Sequence, residues 1–302
     1  MEYTIQPTEP VSKEITRIAD GKVETAIGHI DGDMDPHETV HEVRKRCKEV
    51  RAALRLVRPV LPTYSEENAQ YRDAARRVSD VRDAQAMIET FDDHVKSAVE
   101  AEDALDETTL TEIREALLTR RDTIAVEAEL ETLLTRVRAD LVEGRSRIEN
   151  LPIATDGYDA VAGGLRKSYK RGRNRMAEAY EDPTFERFHE WRKRIKYHRY
   201  HSRLLRRVWV EPMKERREQL KRLSDVIGDE NDLAEFAMAM HDEELFDQEI
   251  RETLDPILRG RRSELHRRGR PLGERIFAEP PDRLVDRIGA YWTATREYDP
   301  NP

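Results

Sequence analysis

Apolar residues recur along this chain at steps of three and four, and they alternate in strand fashion almost nowhere. That periodicity predicts amphipathic helices throughout. Broken at its proline, glycine and turn clusters, the pattern gives helices near 11–29, 37–60, 65–79, 82–100, 108–121 and 124–149. After the sequence LPIATDG at 151–157, further helices fall near 158–181, 184–209, 211–227, 230–241, 243–269 and 281–296. Pro59, Pro62, Pro152, Pro183, Pro212 and Pro271 lie at or beside these boundaries, where helices start or stop. The predicted fold class is therefore all-α. One helical domain spans 11–296, with halves of about 11–149 and 157–296, and the ends 1–10 and 297–302 are expected to be flexible.

The two halves share sequence. HEVRKRCKEVR at 41–51 returns as HEWRKRIKYHR at 189–199, identical at seven of eleven positions with an offset of 148. RDAQAM at 82–87 is related to NDLAEF at 231–236, at an offset of 149. A period this long points to duplication of a bundle-sized unit, not to a solenoid. Two pseudo-symmetric four-helix bundles are the natural expectation.

Within each copy the helix separates into two rows. Val40, Val43, Cys47, Val50, Leu54, Val57 and Leu61 form an apolar stripe, as do Phe188, Trp191 and Ile195. One residue further on, about 100° around the helix, lie His41, Arg44, Lys48, Arg51, Arg55 and Arg58, and in the second copy His189, Arg192, Lys196, Arg199, Arg203 and Arg206. None of the Arg and Lys residues in these rows has an Asp or Glu three or four positions away on its own helix. Like-charge neighbours at that spacing cost on the order of 0.2–0.5 kcal/mol each. Neutralisation by acidic segments elsewhere, such as 89–107 and 229–249, is one explanation. Repetition of the same uncompensated row favours another, a surface that binds a polyanion. From 41 to 58 a row spans about 26 Å, longer than a Debye length of about 10 Å, so its ligand must carry charge along its length. The arginine fork suits phosphate oxygens, and lysine adds a mobile charge. Lys170 and Arg173, before the second copy, and Arg76, Arg82 and Lys221, after the first and second, are further candidate contacts.

Composition narrows the chemistry. Charged residues make up 38% of the 302-residue chain and the formal net charge is −9, so the basic rows stand out against an acidic whole. Cys47 is the only cysteine, which excludes an intramolecular disulfide and a cysteine-rich metal site. No secretory signal and no apolar run near the roughly 18 residues of a membrane span is present, and the expected setting is cytoplasmic. His41 and His189 each follow a glutamate by three residues, Glu38 and Glu186, and belong with the basic surface. Asp83 and Asp232 read as helix-start caps or as partners of a basic residue. Trp191 and Trp209 occupy apolar positions. No phosphate loop, nucleophile elbow or HExxH sequence occurs, and no metal or other cofactor is expected.

The pattern HxxRKxxKxxR, present as His41, Arg44, Lys45, Lys48, Arg51 and again as His189, Arg192, Lys193, Lys196, Arg199, resembles the signature of the CHAD proteins, the conserved histidine α-helical domain family. The paired RD and ND segments resemble that family's second signature. The resemblance covers about 11–296, with a more polar Ala84-Gln85-Ala86-Met87 segment than the family's usual one. It implies one domain of two pseudo-symmetric bundles around a basic groove or pore, binding of inorganic polyphosphate without catalysis, and location at polyphosphate granules. It extends the candidate binding set to Lys45 and Lys193. The ExExK signature of the triphosphatase domain fused to some relatives is absent. Two other readings remain: a phosphohydrolase using Asp83 or Asp232, and a nucleic-acid-binding protein. The acidic total and the lack of a repeated aromatic platform weigh against the second.

Overall fold

Helix starts follow the capping chemistry of the chain. The Asp35 carboxylate accepts from the backbone N–H groups of His37 and Glu38 at 2.9 and 3.1 Å, and Pro36 takes the first position, where a helix has no bond to lose. Asp106 and Thr184 cap later helices in the same way, accepting from the N–H groups of Thr109 and Arg187. The computed structural model describes residues 2–298. Its helices are α1 (Val11–Asp31), α2 (Pro36–Leu56), α3 (Tyr64–Arg77), α4 (Ser79–Thr90), α5 (Lys96–Ala101), α6 (Glu107–Glu127), α7 (Leu130–Ile148), α8 (Gly157–Glu181), α9 (Phe185–Leu204), α10 (Val210–Asp242), α11 (Gln248–Ile276) and α12 (Pro281–Tyr298). A π turn at Phe91–Val95 joins α4 to α5, and a 3₁₀ turn at Arg206–Val208 follows α9. No strand occurs among the described residues. None of their helices is long and apolar enough to cross a membrane.

The apolar stripes direct the packing. α1, α2, α3 and α7 pack side by side as one group, and α8, α9, α10 and α11 as a second, with α12 against α8 and α6 against α4, and their buried side chains join in one core. Val40, Val43, Cys47, Val50, Leu54 and Val57 are all buried, and so are Phe188, Trp191 and Ile195. The halves meet where α2 lies against α8 and α9, and where α4 lies against α10. At that seam Gly164 of α8 comes so close that a Cβ would sit 1.8 Å from the Leu56 carbonyl oxygen.

Several boundaries differ from the periodic reading: α2 stops at Leu56, the helix expected at 82–100 starts at Ser79 and is interrupted by the π turn, and the break expected at 121–124 falls between Glu127 and Leu130. The expected helices 211–227 and 230–241 are one helix, α10, which runs through Gly228. A mid-helix glycine costs only about 1 kcal/mol, and packing between α9 and α11 outweighs it. The helix expected at 243–269 starts at Gln248 and continues through Pro271 to Ile276. Of the start expected to be flexible at 1–10, residues 2–10 are described, and that segment is held by packing, with Tyr3 and Ile5 only 1% and 0% exposed. The Ile5 N–H donates to the Leu204 carbonyl at 2.8 Å, and the Tyr3 hydroxyl to the Glu49 carbonyl at 2.6 Å. At the other end α12 continues to Tyr298, so of the tail 297–302 expected to be flexible, Glu297 and Tyr298 are helical. Residues 299–302 lie outside the described residues.

Candidate functional site

Burying both apolar stripes leaves each basic row one step around its helix, and the contact of α2 with α9 turns the rows toward each other. Two cross-half contacts hold this arrangement. His201, fully buried, bonds through Nε2 to the Ala52 carbonyl at 3.1 Å. A carbonyl only accepts, so Nε2 carries the proton. Burial, and then Arg55 beside it, push the His201 pKa down to about 3, and the ring stays neutral at physiological pH. The Arg55 guanidinium lies 3.9 Å over the Tyr197 ring, a cation–π contact across the seam.

Lys48 and Lys196 face each other at the centre. Lys48 is exposed and Lys196 half-buried, yet protein crowds both closely, which describes ammonium groups lining a recess that water still reaches. Lost hydration, then the Arg44, Arg192 and Arg82 charges, push the Lys48 pKa down to about 8. Lost hydration, then Arg192 and Lys48, push that of Lys196 down to about 7. Neither lysine has an ion-pair partner among the described residues; Asp83 and Asp232 offset the surrounding cations only in part, and the Lys48 charge disfavours that of Lys196.

Around this pair the arginines are oriented by groups from other helices. Arg192 donates to the Asp232 carboxylate at 3.0 Å. In the first half Arg44 donates to the Ala75 carbonyl at 3.2 Å and lies 3.6 Å from Asp83. Both aspartates sit inside helices, so they are partners of a basic residue and not caps. The histidines are held unequally. His189 Nδ1 bonds to the Asn231 side-chain oxygen at 2.6 Å and lies 3.6 Å from Glu235, not beside Glu186. The first half has Arg82 at the place of Asn231, and Arg82 bonds to Glu89 at 2.7 Å. His41 is exposed, and lost hydration, then Arg82, hold its pKa below the ordinary imidazole range.

The structure gathers some of the sequence candidates here and places others elsewhere. Arg44, Lys48 and Arg51 of α2 and Arg192, Lys196 and Arg199 of α9 line the facing rows. Arg51 and Arg55 both donate to the Asn68 side-chain oxygen at 3.2 Å, but Arg55 is 7% exposed and serves the seam more than the surface. Lys45 and Lys193 turn to their own helices, 2.7 Å or less from Glu42 and Glu190. Arg203 is drawn to the buried Glu49 at 3.0 Å, which also holds Arg46 and Lys22. The i,i+4 spacing suggests Lys45 as the partner of Glu49, but burial of Glu49 at the seam selects the cations that reach it there. Lys221 pairs with Asp225 on the outside. Arg76 stays at the rim, where it and Arg51 both favour the charged form of Asp73. Arg173 lines an open groove of about 710 and 530 Å³ in two parts between α8 and α11, on its narrower side with Met176 and Tyr180. Lys170 shares the α8 face of Arg166, which pairs with Asp282 of α12.

Asn68 and Tyr197 shape the site without any sequence signal that singles them out, since each acts across helices, and Asn231 joins them. Only Asn231 could be found in advance, as the counterpart of Arg82 in the repeat.

Comparison with known proteins agrees with this architecture. The family model described as CHAD domain matches residues 17–241. Among solved structures, the crystal structure of the CHAD domain from the plant Ricinus communis matches with a TM-score of 0.53 at 15% identity, covering 96% of this chain and 94% of that one. No curated protein matches. With three quarters of its length within the family model, this chain belongs to the CHAD domain family.

Proposed function

We propose that the facing rows of α2 and α9 bind inorganic polyphosphate and do not hydrolyse it. The observation that carries this reading is the Lys48–Lys196 pair, two cations at the centre of the rows that make no ion pair among the described residues and stand among the Arg44, Arg82 and Arg192 charges. Mutual repulsion in the free protein becomes attraction once a polyanion lies between them. CHAD domains are linked to polyphosphate binding in general, which agrees with this chemistry, and it suits a cytoplasmic protein located at polyphosphate granules. Nucleic acid fits less well. Trp191 is 0% exposed and Tyr197 is covered by Arg55, so neither offers a face for base stacking, while Trp209, 52% exposed, packs edge-on against Tyr291.

Competition decides between the polyanions. Long-chain polyphosphate is expected to displace DNA and RNA from the protein at one ionic strength, and displacement in the reverse sense, phosphate for phosphate, overturns the proposal. The enzymatic alternative has its own test. Incubated with Mg²⁺ and long-chain polyphosphate, the protein is expected to leave the chain-length distribution on a gel unchanged. Shortening that Asp83→Asn or Asp232→Asn abolishes would establish hydrolysis instead.

Proton linkage gives a further prediction. An anion between the lysines raises their pKa values from about 8 and about 7 toward the ordinary range. Binding at pH 8 therefore takes up about one proton, measurable by calorimetry in buffers of different ionisation enthalpy. Affinity is full below about pH 7 and falls as pH rises toward the raised values. Stability of the free protein runs the other way. Between the lowered and the ordinary lysine pKa the unfolded chain holds more protons, so these two groups make the fold more stable as pH rises through that window. Binding without proton uptake contradicts the assignment.

A further inference from the structure

The two basic rows end differently. Beyond Lys196 and Arg199, the second row runs into the N-terminal segment. Arg203 is held by Glu49 at 3.0 Å and lies 5.0 Å over the Tyr3 ring. Ile5 is bonded to the last turn of α9, and Arg207 pairs with Glu2 at 2.8 Å, with Arg206 close to the same carboxylate. That end is covered by packing, and Arg203 and Arg207 are each paired with a carboxylate, Glu49 and Glu2.

The end of the first row stays open and basic. Arg58 follows α2, with its Nε and one Nη buried and without a hydrogen-bond partner among the described residues. α8 reaches this point because Gly163 and Gly164 have no side chain. Cβ positions there would be 3.0 Å from the Pro59 ring and 1.8 Å from the Leu56 carbonyl oxygen. Lys167 lies one turn beyond that glycine pair and Arg171 one turn beyond Lys167, on the same face of α8. Both are exposed. Lost hydration, with Arg55 and Arg171 nearby, lowers the Arg58 pKa to about 10, and Arg58 lowers that of Lys167 in turn. The charges acting on Lys167 are both cations.

We infer that the bound chain leaves the facing rows at one end only, past Arg58 and onto Lys167 and Arg171 of α8, an extension that rests on the proposed binding of polyphosphate. The halves repeat each other in sequence, yet the structure gives the anion a direction. The extension also implies a length requirement. Lys48 and the end of α2 at Leu56 are about 12 Å apart along the helix axis, and Arg58, with Lys167 beside it, follows that end. A chain of three phosphates cannot span Lys48 and Lys167 together, whereas a long chain can.

The test compares the wild-type protein with Lys167→Glu/Arg171→Glu and with Arg207→Ser at the covered end, titrated with tripolyphosphate and with long-chain polyphosphate at one ionic strength. The α8 variant is expected to bind the long chain about tenfold more weakly and tripolyphosphate within about twofold of wild type, while Arg207→Ser changes neither. Unchanged long-chain affinity in the α8 variant overturns the extension and leaves binding at the rows standing. Equal losses for both ligands overturn the directional path, because the α8 charges then act as a general field. Failure of the proposed function itself is seen separately, as wild-type protein that binds neither ligand. Thermal unfolding of the α8 variant at the wild-type temperature excludes misfolding, since both altered side chains are exposed.

Discussion

Replacing Lys48 and Lys196 together by glutamate is expected to weaken binding of long-chain polyphosphate by at least about a hundredfold. A charge-assisted contact contributes about 1.5–3 kcal/mol, and tenfold in affinity corresponds to about 1.4 kcal/mol. Two such contacts already account for the hundredfold, before the repulsion between the new carboxylates and phosphate is added. The substitution leaves the fold intact, because neither lysine has an ion-pair partner to lose and the new carboxylates stand among the charges of Arg44, Arg82 and Arg192. A matched control is Lys45→Glu/Lys193→Glu, whose side chains pair with Glu42 and Glu190 away from the rows. Calorimetric titration of both variants at fixed salt measures the difference. A loss below about threefold in the Lys48/Lys196 variant, or an equal loss in the control, contradicts the site.

The second large effect concerns stability. Gly164→Ala adds one methyl group where the nearest atoms are the carbonyls of Leu56 and Arg55, at 1.8 and 2.8 Å. Backbone cannot rotate aside as a side chain can, so α8 must move off α2, and the expected cost is about 3 kcal/mol, at the upper end for overpacking. Gly260→Ala, in α11 with open space around its Cβ position, is the opposite case. It is expected to stabilise by about 0.5–1 kcal/mol through helix propensity alone. Denaturant unfolding of the two variants checks both signs. Similar stabilities would mean that α8 does not lie against α2 as described. Because α8 also carries Lys167 and Arg171, Gly164→Ala is expected to disturb the open end of the site as well.

Much of the fold is legible in the sequence because amphipathic periodicity is a local property. The stripe Val40, Val43, Cys47, Val50, Leu54 states which face of α2 is buried, and the cap Asp35 states where the helix begins. Reading fails where packing overrides a local cue. Gly228 suggests a break that α9 and α11 suppress, and the polar opening MEYTIQ conceals Tyr3 and Ile5, whose burial depends on a partner some 200 residues away. The site divides in the same manner. Lys45 and Lys193 match the motif as well as Lys48 and Lys196 do, but only the helix–helix contact decides which of them face the recess. On α8 the spacing of Lys170 and Arg173 is as basic as that of Lys167 and Arg171, and the glycine pair packed on α2 selects the latter.

By itself, then, the sequence determines that this protein is helical, that its halves are related, and that each presents an uncompensated basic row beside its buried stripe. Those properties depend on residues within a turn or two of each other. The tertiary structure alone decides that the rows oppose one another, that Glu49 and the N-terminal segment close one end, and that α8 extends the other. These are contacts between residues remote in the chain, fixed by which surfaces pack, and no local pattern encodes their geometry.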